Sequence, residues 1–246
     1  MAIVWTKTQQ HNHYEVRAAG KSRRLYRNGV LHTAYHPDNI ITSSIWDLLF
    51  LPALLYPTHQ LQRVLLLGVG GGAVIHLLNH YRTPKEIVGV EIDAIHLNAA
   101  KRFFNLRYKN LTLHHADAIE WVKHYKGEKF DLIIEDIFTE HEGQPTRLMH
   151  NNKTWLKQLK RLLNKKGMLV INNADSKEAA FTKANSSGFA AIFQFRLHTL
   201  QNHVLAFTRQ ISSISLFKNE IKLNPDLTKK QKTGLLRYTL RKIQNP

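Results

Sequence analysis

Residues 63–93 constrain this chain more than any other stretch. They read Arg-Val-Leu-Leu-Leu-Gly-Val-Gly-Gly-Gly-Ala, then helical spacing over 73–80, then Ile-Val-Gly-Val-Glu-Ile-Asp. The continuous apolar run at 64–67 fits a strand buried on both faces of a parallel sheet. Gly68, Gly70 and Gly72 follow it, with Gly71 between the last two. A strand, a glycine turn and a helix direct backbone N–H groups and a positive helix end at a bound phosphate or nucleoside. Glu91 ends the second apolar run about 20 residues beyond the glycines, where an acid can take both ribose hydroxyls. The spacing therefore predicts a nucleotide-binding α/β domain. Gly68-x-Gly70-x-x-Ala73 alone also fits a dinucleotide fingerprint.

Strand and helix patterns alternate from 64 to 185, as in a parallel doubly wound sheet. Two further runs, 191–195 and 203–207, are close enough to pair antiparallel. Before the core, residues 1–37 carry turn signals at Ala19-Gly20-Lys21 and Arg27-Asn28-Gly29, the mark of β-hairpins. Residues 41–56 read as one mostly apolar helix. Leu236, Leu240 and Ile243 at i, i+4 and i+7 predict a final amphipathic helix. Three regions are expected: an N-terminal β region (1–40), a Rossmann-like catalytic domain (41–208) and a basic C-terminal extension (209–246) packed as a helix.

The motifs Gly-Val-Gly-Gly-Gly, Val90-Glu91-Ile92-Asp93, Ala116-Asp117-Ala118 and Phe130-Asp131-Leu132-Ile133-Ile134-Glu135-Asp136 resemble the successive motifs of the spermidine synthase-like family. That family lies within the class I S-adenosylmethionine-dependent methyltransferase superfamily. The likeness runs from about residue 14 to 208, with Arg24-Leu25-Tyr26-Arg27-Asn28-Gly29-Val30 similar to its N-terminal hairpin. It implies a mostly parallel seven-stranded sheet whose last strand is antiparallel. By the same resemblance, Gly68, Gly70, Gly72, Glu91, Ile92, Asp117 and Ala118 would hold S-adenosylmethionine. Ile92 would stack on adenine, and Asp117, otherwise a helix N-cap, would take its amino group. Asp136 matches the acid that helps deprotonate an attacking amine.

Departures from the pattern bear on the group transferred. The resemblance places an acid in the glycine loop to hold the ammonium tail of decarboxylated S-adenosylmethionine, but Gly71 stands there. Ile137-Phe138-Thr139 replaces the stretch that carries a second Asp, leaving Glu140 or Glu142 as substitutes. The Tyr-x-Glu before the first strand is absent, the region reading Asn39-Ile40-Ile41-Thr42-Ser43-Ser44. The chain also carries 35 Lys and Arg against 18 Asp and Glu, a net charge of +17, a field that repels polyamines. Methyl transfer to an unidentified nucleophile is accordingly the expectation. The alternatives are an aminopropyltransferase using decarboxylated S-adenosylmethionine, and a non-catalytic nucleotide- or nucleic-acid-binding module.

The charge also suggests nucleic acid or an acidic protein as partner, since residues 209–246 hold nine basic and two acidic side chains. No cysteine is present, which excludes disulfides and thiolate chemistry. No metal site is expected, because His76 and His80 lack the glutamate of a zinc helix. The N-terminus has no apolar signal core, and the longest greasy stretch, 48–56, is too short for a span. A cytoplasmic protein without a membrane partner is expected, and the resemblance makes a homodimer reasonable. Residues 139–151 are expected to lie over the active site as a gate.

Overall fold

The structure, a computed structural model, describes residues 1–141, 144–147 and 149–244. Strands β1 (Ala2–Gln9), β2 (Asn12–Ala19), β3 (Ser22–Arg27) and β4 (Val30–Tyr35) form an antiparallel meander. Asn28 and Gly29 have φ of 48° and 82°, the pair of positive values that a type I′ hairpin needs. The β1–β2 turn instead uses Gln10 and His11, at φ 48° and 65°. With no glycine there, the sequence gives little warning of it.

The apolar stretch at 41–56 is shorter as a helix than its pattern predicts. Helix α1 spans Ile45–Phe50 and passes at Pro52 into a 3-10 turn, Leu51–Leu55. Proline has no N–H for an α-helical bond but is tolerated in a first turn. Asp47 ties the start of α1 by accepting from the backbone N–H groups of Thr42 and Ser44, each at 3.1 Å. Its burial pushes its pKa up to about 6.

The core alternates β5 (Arg63–Leu67), α2 (Ala73–Tyr81), β6 (Glu86–Glu91), α3 (Ala94–Phe103), β7 (Leu111–His115), α4 (Ala118–His124) and β8 (Phe130–Glu135). A small hairpin follows, β9 (Phe138–His141) and β10 (Gln144–Arg147). Next come α5 (Lys153–Leu162), β11 (Leu163–Asn173), α6 (Ser176–Asn185), β12 (Ala191–Arg196) and β13 (His203–Thr208). The chain ends in α7 (Ile214–Leu223), α8 (Pro225–Lys232) and β14 (Thr239–Ile243).

The main sheet has the order β14-β12-β13-β11-β8-β5-β6-β7. Strands β11, β8, β5, β6 and β7 are mutually parallel, and β13 and β14 run against their neighbours. Alternate residues of β5 enter opposite core layers: Val64 and Leu66 on one face, Leu65 and Leu67 on the other. That two-sided burial is why the strand reads as an unbroken apolar run, each such side chain contributing roughly 1.5–3 kcal/mol.

Two expectations are corrected here. The sheet has eight strands, not seven, because β14 adds to the edge beside β12. The helix expected from Leu236, Leu240 and Ile243 does not form: residues 239–243 are β14, while the helices of this region are α7 and α8. Leu240 faces Phe195 and Ile243 faces Ile192 across the pair, so tertiary pairing overrides the local helical spacing. No helix among the described residues is long and apolar enough to cross a membrane.

Candidate functional site

The strand order reverses between β5 and β8, with the chain proceeding outward to β6 and β7 on one side and to β11 on the other. Open α/β sheets bind ligands at such a switch point, beyond the carboxyl ends of the strands. A cavity of about 590 Å³ lies there, walled by the loops after β5, β6, β7 and β8 and closed on one side by the N-terminal sheet.

The turn after β5 shows why glycine is needed. Gly68 has φ 86°, and a Cβ there would lie 2.2 Å from the Asp136 carbonyl oxygen. Its own N–H donates to the Val90 carbonyl at 2.9 Å. The next two N–H groups, of Val69 and Gly70, donate to one oxygen of Glu91 at 2.9 and 2.8 Å. The other Glu91 oxygen accepts from Asp93 N–H at 2.9 Å. A carboxylate has about four acceptor positions, so Glu91, with three of them taken by the loop amides, can still accept from one hydroxyl of a ligand. Gly72 opens α2 at φ 88° but does not line the cavity; a Cβ there would strike Leu106.

The remaining expected residues converge on the same space. Ile92 leaves β6 with 57% of its surface exposed and forms an apolar wall. Asp117 caps α4, accepting from Ile119 N–H at 2.7 Å and Glu120 N–H at 3.3 Å, and also lines the cavity with Ala118. Asp136 sits just past β8 and accepts from the Asn172 side-chain amide at 2.7 Å. Asn202 donates to Asn172 at 3.0 Å and thereby fixes which end of that amide faces the acid. Burial of Asp136 pushes its pKa up to about 6, against the pull of that hydrogen bond and of Arg147.

The N-terminal sheet contributes residues that the motifs do not mark. Tyr14 donates to Asp93 at 2.8 Å, and Arg27 approaches the same acid at 3.8 Å. His32 packs on His96 with ring centroids 4.7 Å apart. Burial holds both imidazoles neutral, His32 down to about 3 and His96 down to about 4. The alternation of β2 marks one face of that strand as apolar, but nothing in the sequence shows that this face meets the cavity. Thr33 accepts from Gly71 N–H at 2.6 Å, and a Cβ on Gly71 would lie 2.7 Å from the Thr33 methyl group. The missing loop acid is therefore excluded by a side chain of the N-terminal sheet.

The hairpin β9–β10 lies beside the cavity, with Phe138 and Thr139 in its wall. Arg147 anchors it: one guanidinium nitrogen lies 2.8 Å from both oxygens of Glu135, which is fully buried, and Arg147 also pairs with Glu178. Of the two acids suggested as replacements in this segment, Glu142 lies outside the described residues, as does the side chain of Glu140.

In total, Glu91, Asp93, Asp117 and Asp136 face the cavity against a single guanidinium, Arg27, among the described residues. The molecule is strongly basic, yet this site is acidic. Charge counted over the whole chain therefore misrepresents the site, and the net charge of +17, contrary to expectation, does not disfavour a cationic substrate there.

A glycine loop at a sheet switch point, an acid ending β6 that fastens that loop and a capping acid after β7 are the arrangement of a class I S-adenosylmethionine-dependent transferase fold. The chain belongs to the methyltransferase-domain family, whose model matches residues 58–222, and its fold is the spermidine synthase-like form of that class. It is 29% identical over 205 residues to polyamine aminopropyltransferase 2 of Caldanaerobacter subterraneus subsp. tengcongensis, covering 82% of this chain and 64% of that one. It is 34% identical over 114 residues to polyamine aminopropyltransferase of Vibrio vulnificus, covering 45% and 37%. The chain thus spans less than two thirds of the length of these relatives. A probable spermidine synthase from Corynebacterium glutamicum superposes with a TM-score of 0.71 at 17% identity, over 90% of this chain and 88% of that one. The expectation of methyl transfer to an unidentified nucleophile is overturned by these relatives, which carry the aminopropyltransferase name.

Proposed function

We propose that the protein is a polyamine aminopropyltransferase, transferring the aminopropyl group of decarboxylated S-adenosylmethionine to an amine. The observation that carries this reading is the acid-lined cavity, in a chain whose relatives are named for that activity. Both reactants are cations, and four carboxylates against one guanidinium attract them where +17 overall would not.

The residues fit the cofactor. Glu91 has about one acceptor position left for a ribose hydroxyl, Ile92 offers an apolar face to the adenine, and Asp117 presents a carboxylate beside Ala118. When bound, the cofactor supplies an electrophilic carbon on a sulfonium; the amine forms the new C–N bond as the C–S bond breaks, leaving a neutral thioether. Asp136, ionised above about pH 6, holds the acceptor ammonium and takes its proton. Asn172, itself fixed by Asn202, keeps that carboxylate turned to the cavity. The walls from Tyr14, Trp46 and Phe138 exclude water and align the reactants.

The test is calorimetric titration with decarboxylated and intact S-adenosylmethionine, followed by turnover with putrescine. The extra carboxylate of the intact form, about 5 Å from one cavity acid at an effective dielectric of about 20, costs about 3 kcal/mol, or about a hundredfold in affinity. Tighter binding of the intact form, with no turnover of any diamine, would overturn the reading.

A further inference from the structure

The aminopropyl-transfer reading leaves the basic C-terminal region unused. Beside the sheet edge, the end of β12, helix α7 and the segment leading into β14 enclose a groove of about 580 Å³. Arg196, His198, Lys218 and Arg237 line it, all of them exposed, and no Asp or Glu does. Arg241 and Lys242 extend the cationic surface along β14, the edge strand. The two acids of residues 209–246 are engaged elsewhere: Glu220 with Arg82 at 2.6 Å, and Asp226 with Tyr81 at 2.5 Å and Lys230 at 3.8 Å. Among the described residues no carboxylate pairs with the groove cations. No residue is shared with the transfer cavity.

We propose that this groove binds single-stranded nucleic acid. Guanidinium groups match phosphate oxygens with two parallel donors, which an ammonium cannot do. The Nε of Arg237 is held by the Gly234 carbonyl at 2.6 Å, which orients the group and leaves its terminal nitrogens for a phosphate. The groove also contains a fixed aromatic. Tyr238 is braced edge-on against Phe217, ring centroids 5.4 Å apart, and its hydroxyl accepts from Gln231 at 2.8 Å. A cationic track with an aromatic platform is the arrangement that holds a backbone while a base stacks, and it requires no sequence readout. An acidic protein would use the cations but has no base for the ring.

The experiment is fluorescence anisotropy of the full chain with a labelled oligouridylate of about 20 nucleotides, from about 50 to 200 mM salt. Binding should weaken with salt by about 0.7 log–log slope units per phosphate contacted. The double variant Arg196→Glu/Arg237→Glu should weaken binding at least tenfold and lower the slope by about 1.4, while melting temperature and cofactor titration stay unchanged. Tyr238→Leu should weaken binding with the slope unchanged. A charge-matched control, Lys101→Glu/Lys157→Glu, alters exposed positions on α3 and α5 and should have little effect. Three results would each overturn the proposal: no binding at the lowest salt, equal weakening by the control pair, or poly-glutamate binding as tightly as the oligonucleotide. Because cofactor titration is measured separately, failure here leaves the transferase reading untouched, and the reverse also holds.

Discussion

Arg147→Met tests the anchor of the β9–β10 hairpin. Both oxygens of Glu135 rest on one guanidinium nitrogen at 2.8 Å, and neither side chain is more than 5% exposed. Burial pushes the Glu135 pKa up, and Arg147 is the group that opposes this. Methionine fills much of the arginine stem but leaves the carboxylate without a counter-charge, a loss typically of about 3–5 kcal/mol. Glu135 can limit that loss by taking up a proton. From an ordinary glutamate pKa of about 4.3, protonation at pH 7 costs about 3.7 kcal/mol, and at pH 5 about 1 kcal/mol. In the variant, the folded pKa of Glu135 lies far above the unfolded one, so the protonated carboxyl is tolerated below about pH 4.3 and the deficit grows as pH rises. Urea denaturation of wild type and variant at pH 5, 6 and 7 should therefore show a stability deficit that grows with pH. Adding Glu135→Gln should recover most of the loss at pH 7. A deficit that is the same at every pH, or one that Glu135→Gln enlarges, would refute the reasoning, since it would locate the effect in packing alone.

Asp136→Asn should lower turnover on the order of 10²–10⁴-fold and remove the rise in wild-type activity through about pH 6 that the Asp136 pKa dictates. The same change should stabilise the fold at pH 7 by about 3 kcal/mol. Asp136 has its pKa raised on folding, so its contribution is favourable below the unfolded value and is lost as pH passes about 6. Gly68→Ala, with φ 86° and its Cβ 2.2 Å from the Asp136 carbonyl oxygen, should cost several kcal/mol, on the order of 3, in thermal denaturation. Cofactor affinity should fall with it, and Gly72→Ala should cost stability against Leu106 without a comparable change in affinity per folded molecule.

Val64, Leu65, Leu66 and Leu67 announce a two-sided buried strand because burial on both faces admits no polar residue, and Gly68 announces the turn because its backbone approach admits no Cβ. Those are local demands. β14 was illegible because Leu240 and Ile243 satisfy helical spacing, and only the partners Phe195 and Ile192 decide otherwise. The sign of charge at the site was illegible for a similar reason. Glu91, Asp93, Asp117 and Asp136 are scattered over 46 positions of the chain and meet only at the ends of three strands. The contributions of Tyr14, Arg27 and His32 come from a separate sheet, and no periodicity reports where one sheet docks on another.

The contact between Thr33 and Gly71 has a consequence for descent. The two residues are 38 positions apart, yet they compete for one volume. An acid at position 71 is not accommodated while position 33 and its backbone stay in place, because the new Cβ would meet the Thr33 methyl at 2.7 Å and the Thr33 Cβ at 2.8 Å. Trimming the threonine methyl alone leaves the second contact, so the backbone of loop or sheet has to move as well. Residue 71 and the strand that carries Thr33 are therefore bound to change together.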